Sequence, residues 1–138
     1  MPNGIDLILR DHRDVNTLFA RFTETGDGSL IGEVIDRLAA HDEAEHGALY
    51  PLLGAVLGDE DMVVRAAAAH SAVKKQIDVV KGLEGPPLID AFGVLRTLVS
   101  EHVADEENVM LPALAAAATA VQLEGLGARI LQIKQRVG

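Results

Sequence analysis

The 138-residue chain has no cysteine and no tryptophan, one tyrosine and three phenylalanines. Without cysteine there can be no thiolate nucleophile, disulfide, iron–sulfur cluster or zinc knuckle. Four aromatic side chains leave little to stack on nucleic-acid bases or to wall a haem pocket. Basic residues are scarce and scattered: 12 Lys and Arg against 21 Asp and Glu give a formal charge of −9, a field that repels phosphate backbones and anionic membrane surfaces. Long apolar runs are missing as well. The longest, Val109 to Val121, contains Pro112 and falls short of the ~20 residues that a spanning helix needs. The opening Met-Pro-Asn-Gly-Ile-Asp lacks the basic segment that starts a signal peptide. The expectation is a soluble, cytoplasmic chain with no nucleic-acid partner and no membrane partner.

What the chain does have is 49% hydrophobic residues, enough for one sizeable core, so residues 1–138 are read as a single domain. Apolar residues recur at helical spacing, and no stretch alternates with period two long enough to make a strand. The fold class is therefore all-α. A first helix is expected over Ile5 to Thr23, and Ser29 is expected to cap a second that reaches Gly58. Asp59 caps a third, stopped by Glu84-Gly85-Pro86-Pro87. A fourth begins at Leu88 and frays around Ala115 to Ala118, and a shorter fifth covers about Val121 to Arg136. Short turns make successive helices antiparallel, which gives an antiparallel up-down four-helix bundle with a short fifth C-terminal helix. That last helix either covers the core or offers a dimer face.

The second and fourth helices carry one pattern twice. His41-x3-Glu45-x3-Leu49-Tyr50-Pro51-x-Leu53 and His102-x3-Glu106-x3-Met110-Leu111-Pro112-x-Leu114 are offset by 61 residues. The first and third helices each place one histidine on the apolar stripe, His12 and His70, offset by 58. Residues four apart on a helix lie about 40° round and about 6 Å along, so each His shares the core face with its Glu. Four imidazoles and two carboxylates thus face the bundle interior, where an unpaired carboxylate costs several kcal/mol or takes up a proton. Two compensations are open. One is a metal-free cluster of mutually hydrogen-bonded histidines. The other is a pair of metal ions sharing Glu45 and Glu106 as bridges, with two histidines each and positions left for water, oxide or a small ligand. Such nitrogen and carboxylate donors suit non-haem iron, with manganese next and zinc less apt.

In this order of motifs, from His12 through His41-x3-Glu45 with Leu49-Tyr50-Pro51 and His70 to His102-x3-Glu106 with Met110-Leu111-Pro112, the chain resembles the hemerythrin-like family, the HHE cation-binding domain. The resemblance covers nearly the whole chain. It implies a four-helix bundle around two non-haem Fe ions with a bridging oxo or hydroxo group. His12, His41, His70 and His102 would then be terminal metal ligands, with Glu45 and Glu106 as bridges. It also implies small-molecule partners, since members carry or sense O2, sense iron, or act on H2O2 and NO. One departure stands out. The oxygen carriers have H-x3-H on the third helix, and four residues after His70 this chain has Lys74. A centre short of one imidazole favours redox turnover over reversible oxygen carriage. The leading expectation is therefore catalase-like decomposition of hydrogen peroxide, and the alternative is binding or sensing of O2, NO or iron without turnover.

The neighbouring residues have two readings each. Tyr50, the only phenol, either packs in the core or serves the centre as an additional ligand or hydrogen-bond donor. Asp42 is either a further ligand or an acceptor for an imidazole N–H. Glu43, Asp105 and Glu107 read as a solvated face or as such acceptors, and Lys74 and Lys75 as water-facing. His46 sits about 140° round the helix from His41 and reads as a surface or boundary residue.

Overall fold

A computed structural model describes residues 3–137 of the chain. Residues 1, 2 and 138 of the expected 1–138 domain lie outside the described residues. The fold is an all-α bundle: α1 (Gly4–Thr25), α2 (Ser29–Ala44), α3 (Tyr50–Leu57), α4 (Glu60–Lys81), α5 (Gly85–Asp105), α6 (Leu111–Ala117) and α7 (Ala120–Val137). A π-helical turn, Glu45–Leu49, runs α2 into α3, and a second, Glu106–Met110, runs α5 into α6. The four long rods are therefore α1, α2–α3, α4 and α5–α6.

Local chemistry sets the rod ends. Asn3 and Asp59 cap α1 and α4, accepting from the Asp6 and Met62 N–H groups. Gly26 and Gly58 close α1 and α3 in the left-handed conformation, at φ 65° and 64°, which glycine adopts without a Cβ clash. Two expected boundaries move. Ser29 is the first helical residue rather than the cap, and its N–H and hydroxyl both donate to Asp27 Oδ1. Pro86 and Pro87 stand in the first turn of α5 rather than in a linker, since a proline there forfeits only an N–H that had no helical partner.

The core is split in two. Val15, Phe19, Val34, Leu38, Ile77, Phe92 and Leu95 belong to one apolar cluster. Ile8, Leu49, Leu53, Ala66, Met110 and Leu114 belong to the other. On α1, α2, α4 and α5 the candidate histidines fall between the two sets in sequence, so a polar layer separates two apolar halves. The last helix covers the core, with Leu126, Ile130 and Ile133 buried in the second cluster and α7 packed on α1, α2 and the first π turn. It docks closely: a Cβ at Gly4 would lie 2.2 Å from Leu126 Cγ, and one at Gly47 2.6 Å from Ile133 Cδ1. Among the described residues no helix is long and apolar enough to cross a membrane.

Candidate metal centre

Each π turn begins at a candidate bridging carboxylate. The Tyr50 N–H donates to Glu45 O and the Leu111 N–H to Glu106 O, five residues back in both cases. Pro51 and Pro112 follow immediately. A proline within a helix lacks its N–H and its ring presses on the carbonyl four residues earlier, and one wider turn relieves both conflicts. From the sequence each stretch reads as one helix, the first of which must bend or lose a hydrogen bond near Pro51, and the structure resolves that conflict as a π turn. The matched prolines, six residues after each Glu, were the signal that the turn widens there.

The structure brings His12, His41, Glu45, His70, His102 and Glu106 together in the polar layer, all buried, with Glu45 1% and Glu106 0% exposed. His12 Nε2 lies 3.0 Å from Glu106 Oε1, and His41 Nε2 3.1 Å from Glu45 Oε1. His70 Nε2 is 2.8 Å from Glu45 Oε1, and His102 Nε2 is 2.9 Å from Glu106 Oε2. Two overlapping donor groups result, His12–His41–Glu45–Glu106 and Glu45–His70–His102–Glu106, each with ligand atoms within 4.8 Å of one another. Both groups use both carboxylates.

These short approaches are not hydrogen bonds. The Nε2 atoms of His12, His41 and His102 and all four oxygens of Glu45 and Glu106 are buried without a hydrogen-bond partner. Buried polar atoms are rarely orphaned, and here the orphans converge on shared points. This donor set fits metal cations, whose open directions the convergent lone pairs would fill.

The opposite edges of the rings are anchored. His12 Nδ1 meets Glu107 Oε2 at 2.7 Å, His41 Nδ1 meets Asp11 Oδ2 at 3.0 Å, and His70 Nδ1 meets Asp42 Oδ1. An ionised carboxylate only accepts, so each of these Nδ1 atoms donates, which leaves Nε2 as the free donor atom of the neutral ring. Asp42 is thus placed at the outer edge of His70, and Glu107 is an acceptor of the same kind. Glu43 and Asp105 are exposed. Asp11 went unnoticed in the sequence, because nothing in its spacing shows that α1 and α2 will set it against His41. Lys134 of α7 donates to both Asp11 oxygens. Burial alone would raise Asp11 and Asp42, but His41 and Lys134 hold the first, and His70 the second, below the usual carboxylate range.

Tyr50 is buried, its hydroxyl has no partner, and its ring centre lies 5.4 Å from that of His70. Burial, then the charges of Glu45, Glu106 and Asp42, push its pKa up, so the phenol keeps its proton when no cation is near. His46 is half exposed, as expected, but stacks edge-on to Tyr50 and His70 and lies 3.3 Å from Asp42. Lys74 is exposed. It is among the residues of α1, α2, α4 and α5 that line a cavity of about 330 Å³, with Val15, Leu38, Ile77 and Val99 on its walls and the four histidines in its lining.

A family model described as the Hemerythrin HHE cation binding domain matches residues 3–114. A curated DNA nickase of Nostoc sp. (strain PCC 7120 / SAG 25.82 / UTEX 2576) is 30% identical over 115 residues, which takes in 79% of this chain. The chain spans 32% of that relative's length. The crystal structure of a hemerythrin HHE cation binding domain-containing protein from Mycobacterium kansasii is similar with a TM-score of 0.87, over 99% of this chain and 88% of that one. At 23% identity, that likeness is one of fold.

Proposed function

The chain belongs to the hemerythrin HHE cation-binding domain family, and on that premise we propose a cytoplasmic, single-domain non-haem di-iron protein that decomposes hydrogen peroxide. The observation that carries this reading is the pair of donor groups sharing two buried, unpartnered carboxylates. His12 and His41 would hold one ion, His70 and His102 the other, with Glu45 and Glu106 spanning both. A bound iron pair supplies two-electron exchange, so that two H2O2 become two H2O and one O2. The chain's own part begins with access. The cavity of about 330 Å³ bounded by α1, α2, α4 and α5 has the four histidines in its lining, which leaves room for a peroxide-sized ligand beside the histidine layer. The apolar halves above and below the layer keep bulk water from the carboxylates and strengthen their hold on cations. Asp11, Asp42 and Glu107 fix three imidazole planes and so the direction in which Nε2 points.

Oxygen release on adding H2O2 to iron-loaded protein, followed with an oxygen electrode, is the expected result. Reversible O2 or NO spectra without oxygen release would instead favour binding and sensing. The match to the nickase takes in a third of that protein and this chain carries a charge of −9, so DNA is not assigned as its substrate.

Tyr50 belongs to the same reading. It lies beside His70, on the half where Lys74 stands in place of a second imidazole, and a cation nearby reverses the pressure that keeps its proton on. A visible charge-transfer band in the iron-loaded protein, lost in Tyr50→Phe, is expected. A spectrum unchanged by the substitution would return Tyr50 to core packing.

A further inference from the structure

The internal repeat holds for the six inner residues and fails for the groups behind them. His12 corresponds to His70 at an offset of 58, and His41 and Glu45 correspond to His102 and Glu106 at an offset of 61. Asp11, which accepts from His41 Nδ1, would correspond to position 69, and that residue is Ala69. Accordingly His102 Nδ1 is buried with no partner. Glu107, which accepts from His12 Nδ1, corresponds to His46, which can supply no carboxylate. His70 leans instead on Asp42, which His46 also approaches at 3.3 Å. One half of the centre therefore has both rings anchored, one of them through a carboxylate that Lys134 clamps. The other half has one ring on a shared carboxylate and one ring on nothing.

We propose that the two halves bind divalent cations with unequal affinity, the His12–His41 half filling first, and that Asp11 is the positioning residue that sets this order. The inference rests on the dinuclear reading given above. A carboxylate behind an imidazole fixes the ring and raises the basicity of the ligating nitrogen, and loss of such a partner weakens metal binding by roughly 10- to 100-fold. Repulsion between two cations also makes any second ion weaker, but it does not choose which half is filled first. The outer carboxylates make that choice. Lys134 gives α7 a part in it, because the helix that covers the core also holds Asp11 in place.

The test titrates the full-length metal-free protein, carrying nitrogen-labelled histidine, with a spin-active cadmium isotope. At one equivalent, cadmium–nitrogen coupling is expected on Nε2 of His12 and His41 alone, and at two equivalents on His70 and His102 as well. Calorimetry with Co²⁺ is expected to resolve two steps separated by roughly 10- to 100-fold. Asp11→Asn should narrow that gap by weakening the first step. Ala69→Asp, which supplies the missing carboxylate behind His102, should narrow it by strengthening the second, a gain that a merely structural role for position 11 does not produce. Coupling that appears first on His70 and His102, or on all four rings together, overturns the proposal. So does a pair of variants that leaves both steps in place. If Ala69→Asp fails to fold, the order read from the unaltered protein decides alone. Two ions bound without order overturn this inference and spare the dinuclear centre; no coupling at any cadmium level overturns both.

Discussion

Two bound metal ions are expected to raise the melting temperature by about 25 °C over that of the chelated protein. Each ion kept at a free concentration a thousand times its Kd contributes about 4 kcal/mol, and for a chain of 138 residues one kcal/mol moves the midpoint by about 3 °C. The gain should depend on pH with a definite sign. In the metal-free protein burial disfavours the charged imidazole of His102, yet Glu106 and Glu45 outweigh it and carry the pKa from 6.5 up to about 9. A raised histidine contributes stability that is complete below 6.5 and lost as pH climbs through about 9. His41 and His70 move the same way, burial again opposed by Glu45, with Asp11 behind the one and Asp42 behind the other. Burial would raise Glu45, but the imidazoles of His41 and His102 hold it well below its ordinary 4.5. Its contribution is therefore present above 4.5 and fades as pH falls through the lower folded value. The chelated protein should thus melt highest between about 4.5 and 6.5 and lower toward pH 9. Metal binding runs the other way, because protons must leave the imidazoles for the ions to bind. Calorimetric melts with and without metal should diverge as pH rises, and parallel curves would count against the centre.

The second large effect concerns the shared carboxylates. Glu106→Ala should release both ions rather than one, because Glu106 belongs to both donor groups. The loss should exceed the roughly 10- to 100-fold that an outer-sphere partner carries. Peroxide turnover should fall to the background of free iron, and the melt should stop responding to added metal. In the metal-free state the same change removes the carboxylate that faces His12 and His102 at 3.0 and 2.9 Å. A buried charge stripped of its partner destabilises by about 3–5 kcal/mol. Glu43→Gln is the control. Glu43 is exposed, and a surface substitution away from such features stays within about 0.5 kcal/mol. Retention of two ions per chain by Glu106→Ala would show that the carboxylates are not shared.

The inner site was legible in the sequence because helical periodicity is short-range information. His41 and Glu45 must share a face if the segment is a helix, and an ionisable residue on an apolar stripe needs a compensating group wherever the helix packs. The same logic placed His12 and His70 on core faces, and the repeat aligned the two halves. The outer site was not legible. Asp11 reaches His41, and Lys134 reaches Asp11, across 30 and 123 residues of chain, so both contacts depend on how α1, α2 and α7 pack. Asp42 illustrates the same limit from the other side: its spacing allowed a ligand or an acceptor, and only the position of α4 sets it against His70 Nδ1. The π turns fall between these cases. Pro51 and Pro112 announced a conflict in the helix, and the five-residue turns that resolve it start at the two carboxylates of the centre. The docking of α7 rests on the absence of a side chain at Gly4 and Gly47, a signal with no periodicity to reveal it.

The central claim is that the buried histidines and carboxylates form one centre for two ions. Metal content per chain, by mass spectrometry on untagged protein reconstituted anaerobically with ferrous iron and desalted, tests it most directly. About two irons per chain are expected, in keeping with the two donor groups that share Glu45 and Glu106. No retained iron would contradict the account and return His12, His41, His70 and His102 to a metal-free polar layer in a helical bundle.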